Sequence, residues 1–395
     1  MPEIPVMRPM LPTADQVLPY LRQIDATRIY SNFGALSQEL QSRLARMFGT
    51  GENSVTCTSS GTSALIGAIL ATAGAGCPSR PLAMIPGLTF PATATAAERC
   101  GYDPYLVEVD PKSWLLDPQT IASHPRLHEV GLVIPVATFG SPVPQEPWLS
   151  FMRETNIPVV IDGAASFAFV SKRPSGFMGK VPVVLSFHAT KSFGVGEGGC
   201  VVWSDPEAER RLCEALNFGF YGSRLSVTSS SNGKMSEYHA AVGLAELDNW
   251  PVKLERFLQV ARLSRKAADV DGLGSDLILY PRTDFIYPLF LVVDAVESLR
   301  IQDSLGRQRI GFRFWYGSGI QSHPHYRNSP HDDLVVCSSL ANRLIGLPMA
   351  PDLTSQQIEI ICRTITDTRN ADGPFPVGKP HPPKHKHGHA AADIP

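Results

Sequence analysis

Leu36, Leu40 and Leu44 recur at every fourth position, a spacing that puts them on one face and predicts an amphipathic helix. Downstream, short continuous apolar runs alternate with helical stretches. SVTCT (54–58) reads as a strand, SSGT (59–62) as a connection and the Ala-, Leu- and Ile-rich stretch after it as a helix. Strands near 82–86, 105–109 and 131–137, helices near 91–100 and 145–155, and the strand PVVID (158–162) continue the alternation. Strands apolar at consecutive positions bury both faces, so the pattern predicts an α/β fold with a large domain whose mostly parallel sheet is wrapped by helices. Ligands of such sheets bind where strands end.

Residues 235–265 are again helical in period, with a break expected at Pro251, where the ring removes a backbone N–H. After it come strands over 285–293 and 312–316, a helix over 296–309 and a closing helix over 354–366, which predict a smaller C-terminal α+β domain. The expected organisation is an N-terminal segment (1–27), a large domain (28–255), a small domain (256–370) and a tail (371–395). That tail is rich in Pro and His (His381, His385, His387, His389) and poor in apolar residues, so disorder is expected, and a solvated tail is preferred to a weak metal site.

The 395 residues, 43% hydrophobic and 18% charged, suit a globular enzyme. A formal net charge of −2, from 35 basic and 37 acidic residues, gives no electrostatic case for nucleic acid or an anionic membrane as partner. Seven scattered cysteines without paired metal-ligand spacing read as reduced thiols, and no metal site is expected. The start, MPEIPVMRPMLPTADQ, has no apolar stretch of signal-peptide length, and no run approaches the roughly 18 apolar residues of a membrane span, so a cytoplasmic protein is expected.

The chemistry concentrates in SFHATKSFGVGEGG (186–199). Gly194, Gly196 and Gly199 fit G-x-G-x-x-G, but they lead into the apolar run CVVW (200–203), which reads as a strand. A dinucleotide site requires a helix there, so a tight turn explains the glycines. Lys191, in the middle of the run, has either snorkelled to water or been placed for chemistry. Asp162 closes the strand PVVID and is either a helix N-cap or the partner of a buried cation. Ser59–Thr62 joins a strand to a helix and either caps it or holds a phosphate on free N–H groups. Phe90 reads as core or as a stacking surface, and His188 as a structural or a substrate-facing histidine.

Taken together, SSGTSAL (59–65), PGLTFPATATA (86–96), VEVDPKSWLLDP (107–118), VIDGAAS (160–166), the lysine run and SNGKMSEYHAAVG (231–243) resemble the DegT/DnrJ/StrS nucleotide-sugar aminotransferases. The resemblance covers residues 28–368. It implies the aspartate-aminotransferase fold, pyridoxal 5'-phosphate (PLP) as cofactor, and amino transfer from L-glutamate to a nucleotide-linked keto-sugar. By resemblance Lys191 carries the cofactor and moves the proton, and Asp162 partners the ring nitrogen. Ser186, Gly61 and Thr62 hold the phosphate, and Phe90 stacks on the ring. Asn232, with Lys234 as a further candidate, reaches the phosphate of the neighbouring subunit, which implies a homodimer with shared sites.

Family members usually carry Gln or His three residues after the aspartate to meet the ring hydroxyl; this chain has Ala165, leaving Ser166 or water for that contact. Dehydrating members have histidine in place of the lysine, so Lys191 speaks for amine transfer. The FHATK, EGG and NGKMSE pieces look most like members that aminate C4 of a dTDP-4-keto-6-deoxyhexose, with C3 also open. Two alternatives stay open beside this reading. One is a PLP enzyme acting on another carbonyl; the other is a catalytically silent homologue with a regulatory or interaction role.

Overall fold

The computed structural model describes residues 3–280 and 286–371. The expected tail, 371–395, lies outside the described residues but for its first. The chain begins with helices α1 (Ala14–Thr27) and α2 (Ala35–Met47) and then alternates. In order come β1 (Val55–Thr58), α3 (Gly61–Thr72), β2 (Leu82–Pro86), α4 (Pro91–Arg99), β3 (Asp103–Val107), the short α5 (Pro118–Ala122), β4 (Val130–Val133) and α6 (Gln145–Thr155). β5 (Ile161–Asp162), the single-turn α7 (Phe167–Val170), β6 (Val183–Ser186), β7 (Gly199–Val202) and α8 (Ala208–Leu216) follow.

Strands β3-β2-β4 are parallel, and β1-β7-β6-β5 form a second set in which only β7 runs against its neighbours. Parallel bridges Val133–Val159 and Val136–Asp162 join β4 to the β5 segment, so the sets make one surface in the order 3-2-4-5-6-7-1. β1, β2, β6 and β7 are buried at every position, as expected of strands covered by helices on both faces. Leu36, Leu40 and Leu44 are all buried on α2.

The 34-residue helix α9 (Glu237–Val270) leads into β8 (Leu277–Tyr280), β9 (Tyr287–Leu291), α10 (Ala295–Arg307), α11 (Val335–Arg343), β10 (Leu344–Gly346) and α12 (Ser355–Asn370). Here the sheet is antiparallel, in the order β10-β9-β8, with α10 and α12 packed together.

The expected break at Pro251 does not occur. α9 runs through it, because residues on both sides are buried, Leu247 and Trp250 before it, Phe257 and Val260 after it, and packing outweighs one lost hydrogen bond. The expected strand 312–316 is reduced to one bridge, Arg313–Gly346. β10 is only three residues long, and the positive-φ glycines Gly317 and Gly319 turn the chain away. Conversely, α1, β6, α8 and α11 were not expected. The first residues also pair with the C-terminal part, through the bridges Ile4–Ile310 and Met7–Met349.

Candidate active site

Lys191 stands at the tip of a turn that folds β6 back into β7. Phe187 donates to the Gly198 carbonyl (2.8 Å), Val195 to Phe187 (2.8 Å), Ala189 to Gly196 (2.8 Å) and Lys191 to His188 (2.8 Å). Gly196, with φ +96°, turns the chain, and the glycines do enter a strand. Burial pushes the Lys191 ammonium below its ordinary pKa; the Asp162 carboxylate opposes that push and the Arg313 charge adds to it.

Asp162 ends β5, one strand over, and is buried. Thr93 Oγ1 donates to its Oδ2 (2.7 Å) and the Ala164 N–H to its Oδ1 (3.1 Å). Burial raises the carboxyl pKa, and these two bonds and the Lys191 charge pull it back. Thr93 is itself buried and shares a 2.9 Å hydrogen bond with Thr89. The Tyr316 hydroxyl accepts the Phe139 N–H (3.0 Å), and burial, with a contribution from the Asp162 charge, keeps it protonated.

The start of α3 lies against β6. A Cβ on Gly61 would stand 2.8 Å from the Ser186 Cβ, and one on Gly199 would stand 2.9 Å from the Gly61 nitrogen, so both glycines permit the close approach. Ser60 caps the helix, accepting the Ser63 N–H (3.0 Å), which leaves the Gly61 and Thr62 N–H groups at the helix N-terminus. Ser186 accepts the His188 N–H on its Oγ (3.3 Å). Lys191, Asp162, Ser186 and Gly61 therefore meet at adjoining strand ends, the place this sheet architecture reserves for ligands.

Asn232 sits farther along the same rim. The Gly233 carbonyl accepts the Ser59 N–H (2.8 Å), and Lys234 Nζ donates to Asn232 Oδ1 (2.7 Å) while lying 4.5 Å from the Phe218 ring centroid. Phe90 is 60% exposed at the N-cap of α4, which removes its reading as plain core. His188 is partly satisfied locally, with Thr190 Oγ1 at 2.7 Å from Nδ1 and Glu197 at 3.6 Å from Nε2. The Ser166 hydroxyl, next to Ala165, is buried and makes no hydrogen bond within the protein. Thr93, Tyr316 and Arg313 escaped the sequence reading. Thr93 had one available signal, its place in TFPAT at the mouth of a helix beside the expected stacking Phe90.

Residues 13–366 match the DegT/DnrJ/EryC1/StrS aminotransferase family. The chain belongs to this family. It is 28% identical to the dTDP-4-amino-4,6-dideoxy-D-glucose transaminase of Shigella dysenteriae, over 92% of this chain and 98% of that one. It is 27% identical to the dTDP-3-amino-3,4,6-trideoxy-alpha-D-glucose transaminase of Streptomyces venezuelae, over 69% and 73% of the two chains. Among solved structures, DesI with its TDP-sugar product superposes with a TM-score of 0.80 at 25% identity, covering 92% of each chain.

This family member is a PLP-dependent aminotransferase. Its residues fit the cofactor: a buried carboxylate, a lysine of lowered pKa, an open helix N-terminus beside Ser186 and an exposed aromatic at the mouth. Among the described residues no group of His, Cys, Asp and Glu is arranged for a metal ion, and no helix is long and apolar enough to cross a membrane.

Proposed function

We propose that the enzyme moves an amino group from L-glutamate to the keto carbon of a nucleotide-linked sugar, with C4 of a dTDP-4-keto-6-deoxyhexose as acceptor. It works in the cytoplasm as a homodimer with shared sites and supplies an amino sugar for a polysaccharide or natural product. The observation that carries the reaction is the placement of Lys191, on the turn after β6, and the buried Asp162, at the end of the adjacent β5, near enough for the two charges to oppose the effect of burial on each other. The C4 acceptor is supported by the similarity to the dTDP-4-amino-4,6-dideoxy-D-glucose transaminase of Shigella dysenteriae, and C3, the second reading, by that to the 3-amino-sugar transaminase of Streptomyces venezuelae.

In this reading Gly61 and Thr62 offer N–H groups, and Ser186 its hydroxyl, to the cofactor phosphate. Phe90 covers one ring face. Asp162, its two oxygens fixed by Thr93 and Ala164, would partner the cofactor's ring nitrogen and favour its protonated form. Pyridoxal phosphate, when bound, supplies an electron sink for the carbon that loses its proton. Burial lowers the Lys191 pKa and so favours its neutral amine, which would let Nζ take the proton from the donor Cα and in the second half-reaction deliver one to the sugar carbon. Asn232, held by Lys234, reaches the phosphate of the partner's site.

Incubation with L-glutamate and a panel of nucleotide keto-sugars, with products identified by mass and NMR, tests the substrates. A 4-amino product supports the first reading, a 3-amino product moves it to C3, and turnover of non-sugar carbonyls alone sinks both. Borohydride should fix the cofactor to the peptide containing Lys191; attachment at another lysine ends the catalytic assignment.

A further inference from the structure

The lysine turn is laid along one face of α9. A Cβ on Gly243 would stand 3.6 Å from Val195; burial raises the Glu246 carboxyl pKa, and Lys253 and the Gly194 backbone pull it back. The Phe193 ring meets Trp250 with centroids 5.9 Å apart, and Lys253 lines the same cavity as Ala189–Ser192. Positions 243, 246, 250 and 253 form one helical stripe, and the turn passes over it in reverse order from 195 to 191.

Within this stripe Glu246 and Lys253 make a buried ion pair, their side chains 1% and 9% exposed. Lys253 Nζ also donates to the Met10 carbonyl (2.7 Å). Met10 ends a strap whose earlier residues bond to the C-terminal part: Gly311 donates to Ile4 (2.7 Å) and Met349 to Val6 (3.1 Å). Strap residues 6–10, Lys253 and residues 189–192 wall one cavity together with Trp315 and Met349.

Burying two charges is costly, and an apolar pair of equal volume is often as stable, so stability alone does not account for this one. What the charges add is a hydrogen bond from Lys253 to the Met10 carbonyl, made from the stripe over which the lysine turn packs at Val195 and Phe193. The pair also spans Pro251, where α9 lacks one of its own hydrogen bonds.

We propose that Glu246 and Lys253 are positioning residues for Lys191, coupling the N-terminal strap to the lysine turn through one face of α9. This rests on reading Lys191 as the reactive lysine. Lys253 holds the strap and Glu246 the turn, so a lesion at Lys253 is transmitted through its partner to a segment it does not hydrogen-bond.

The test uses full-length cofactor-free protein. Hydrogen exchange is followed on peptides covering 3–12 and 186–199, and acylation of Lys191 by an amine-selective reagent is followed by peptide mass. Lys253→Met should speed exchange in both peptides several-fold and change the Lys191 acylation rate several-fold. In the loaded enzyme kcat should fall about tenfold with the donor KM near its parent value, as small misplacements of a reacting group do. Lys253→Arg should restore all three.

Faster exchange confined to 3–12, with acylation and kcat unchanged, overturns the proposal. Should Lys253→Met not fold, the double variant Lys253→Met/Glu246→Leu, which leaves no lone buried charge, gives the same readouts. Coupling is read without cofactor, so it is decided separately from the borohydride result that tests Lys191 itself.

Discussion

Asp162 shows how a single residue divides cost and benefit between two states. Its folded pKa is raised by burial, so the protonated carboxyl adds stability that is fully present below the unfolded pKa and is lost as pH rises through the folded one, where the buried carboxylate charge appears. Asp162→Asn removes that charge at nearly constant volume. The amide oxygen can still accept from Ala164, and the Thr93 hydroxyl can turn to accept from the amide nitrogen while giving its proton to Thr89. The expected outcome is a cofactor-free variant at least as thermostable as the parent, with turnover reduced at least 100-fold because the ring nitrogen has lost its counter-charge. Near-normal turnover would assign that task to another group. Lys191 and Asp162 were legible because an ionisable residue inside an apolar run is conspicuous. Thr93 was not, since a threonine in an Ala- and Thr-rich helix looks like any other until the 2.7 Å bond to Asp162 is seen.

Among elements, the parallel strands and their helices were readable from continuous apolar runs, whereas α1 was hidden by the surrounding prolines. Its Thr13–Gln16 capping box was the overlooked local signal. The other misreading, FRFWY, alternates as a strand should, and fails because pairing depends on a partner strand that local pattern does not describe. α9 gives the element-scale test. Pro251 is exposed, so replacing it removes little packing, while Pro251→Ala restores a donor for the Leu247 carbonyl and relieves the ring's clash with it. The substitution should stabilise the protein by about 1–3 kcal/mol in denaturant melts. An unchanged or lowered midpoint would mean that the proline costs α9 nothing in its packed setting.

At the scale of the whole molecule, the segment before Asn232 is unusual. Phe218, Tyr221, Leu225 and Val227 are 48%, 47%, 71% and 65% exposed within ten residues, more apolar surface than one stretch of a lone chain ordinarily leaves open. The net charge of −2 offers little repulsion to a second copy. Yet Gly233, next to Asn232, accepts the Ser59 N–H of its own chain, so Asn232 can serve either the site beside it or the one across an interface. Mixing a Lys191→Ala chain with an Asn232→Ala chain separates these cases. If Asn232 serves the partner, each heterodimer has one site carrying both lesions and one carrying neither, and activity rises from two nearly inactive parents. If Asn232 serves its own chain, every site keeps one lesion and mixing restores nothing. Recovery in heterodimers shown to have formed is the expected result; its absence, or a fully active monomer, would confine Asn232 to its own subunit.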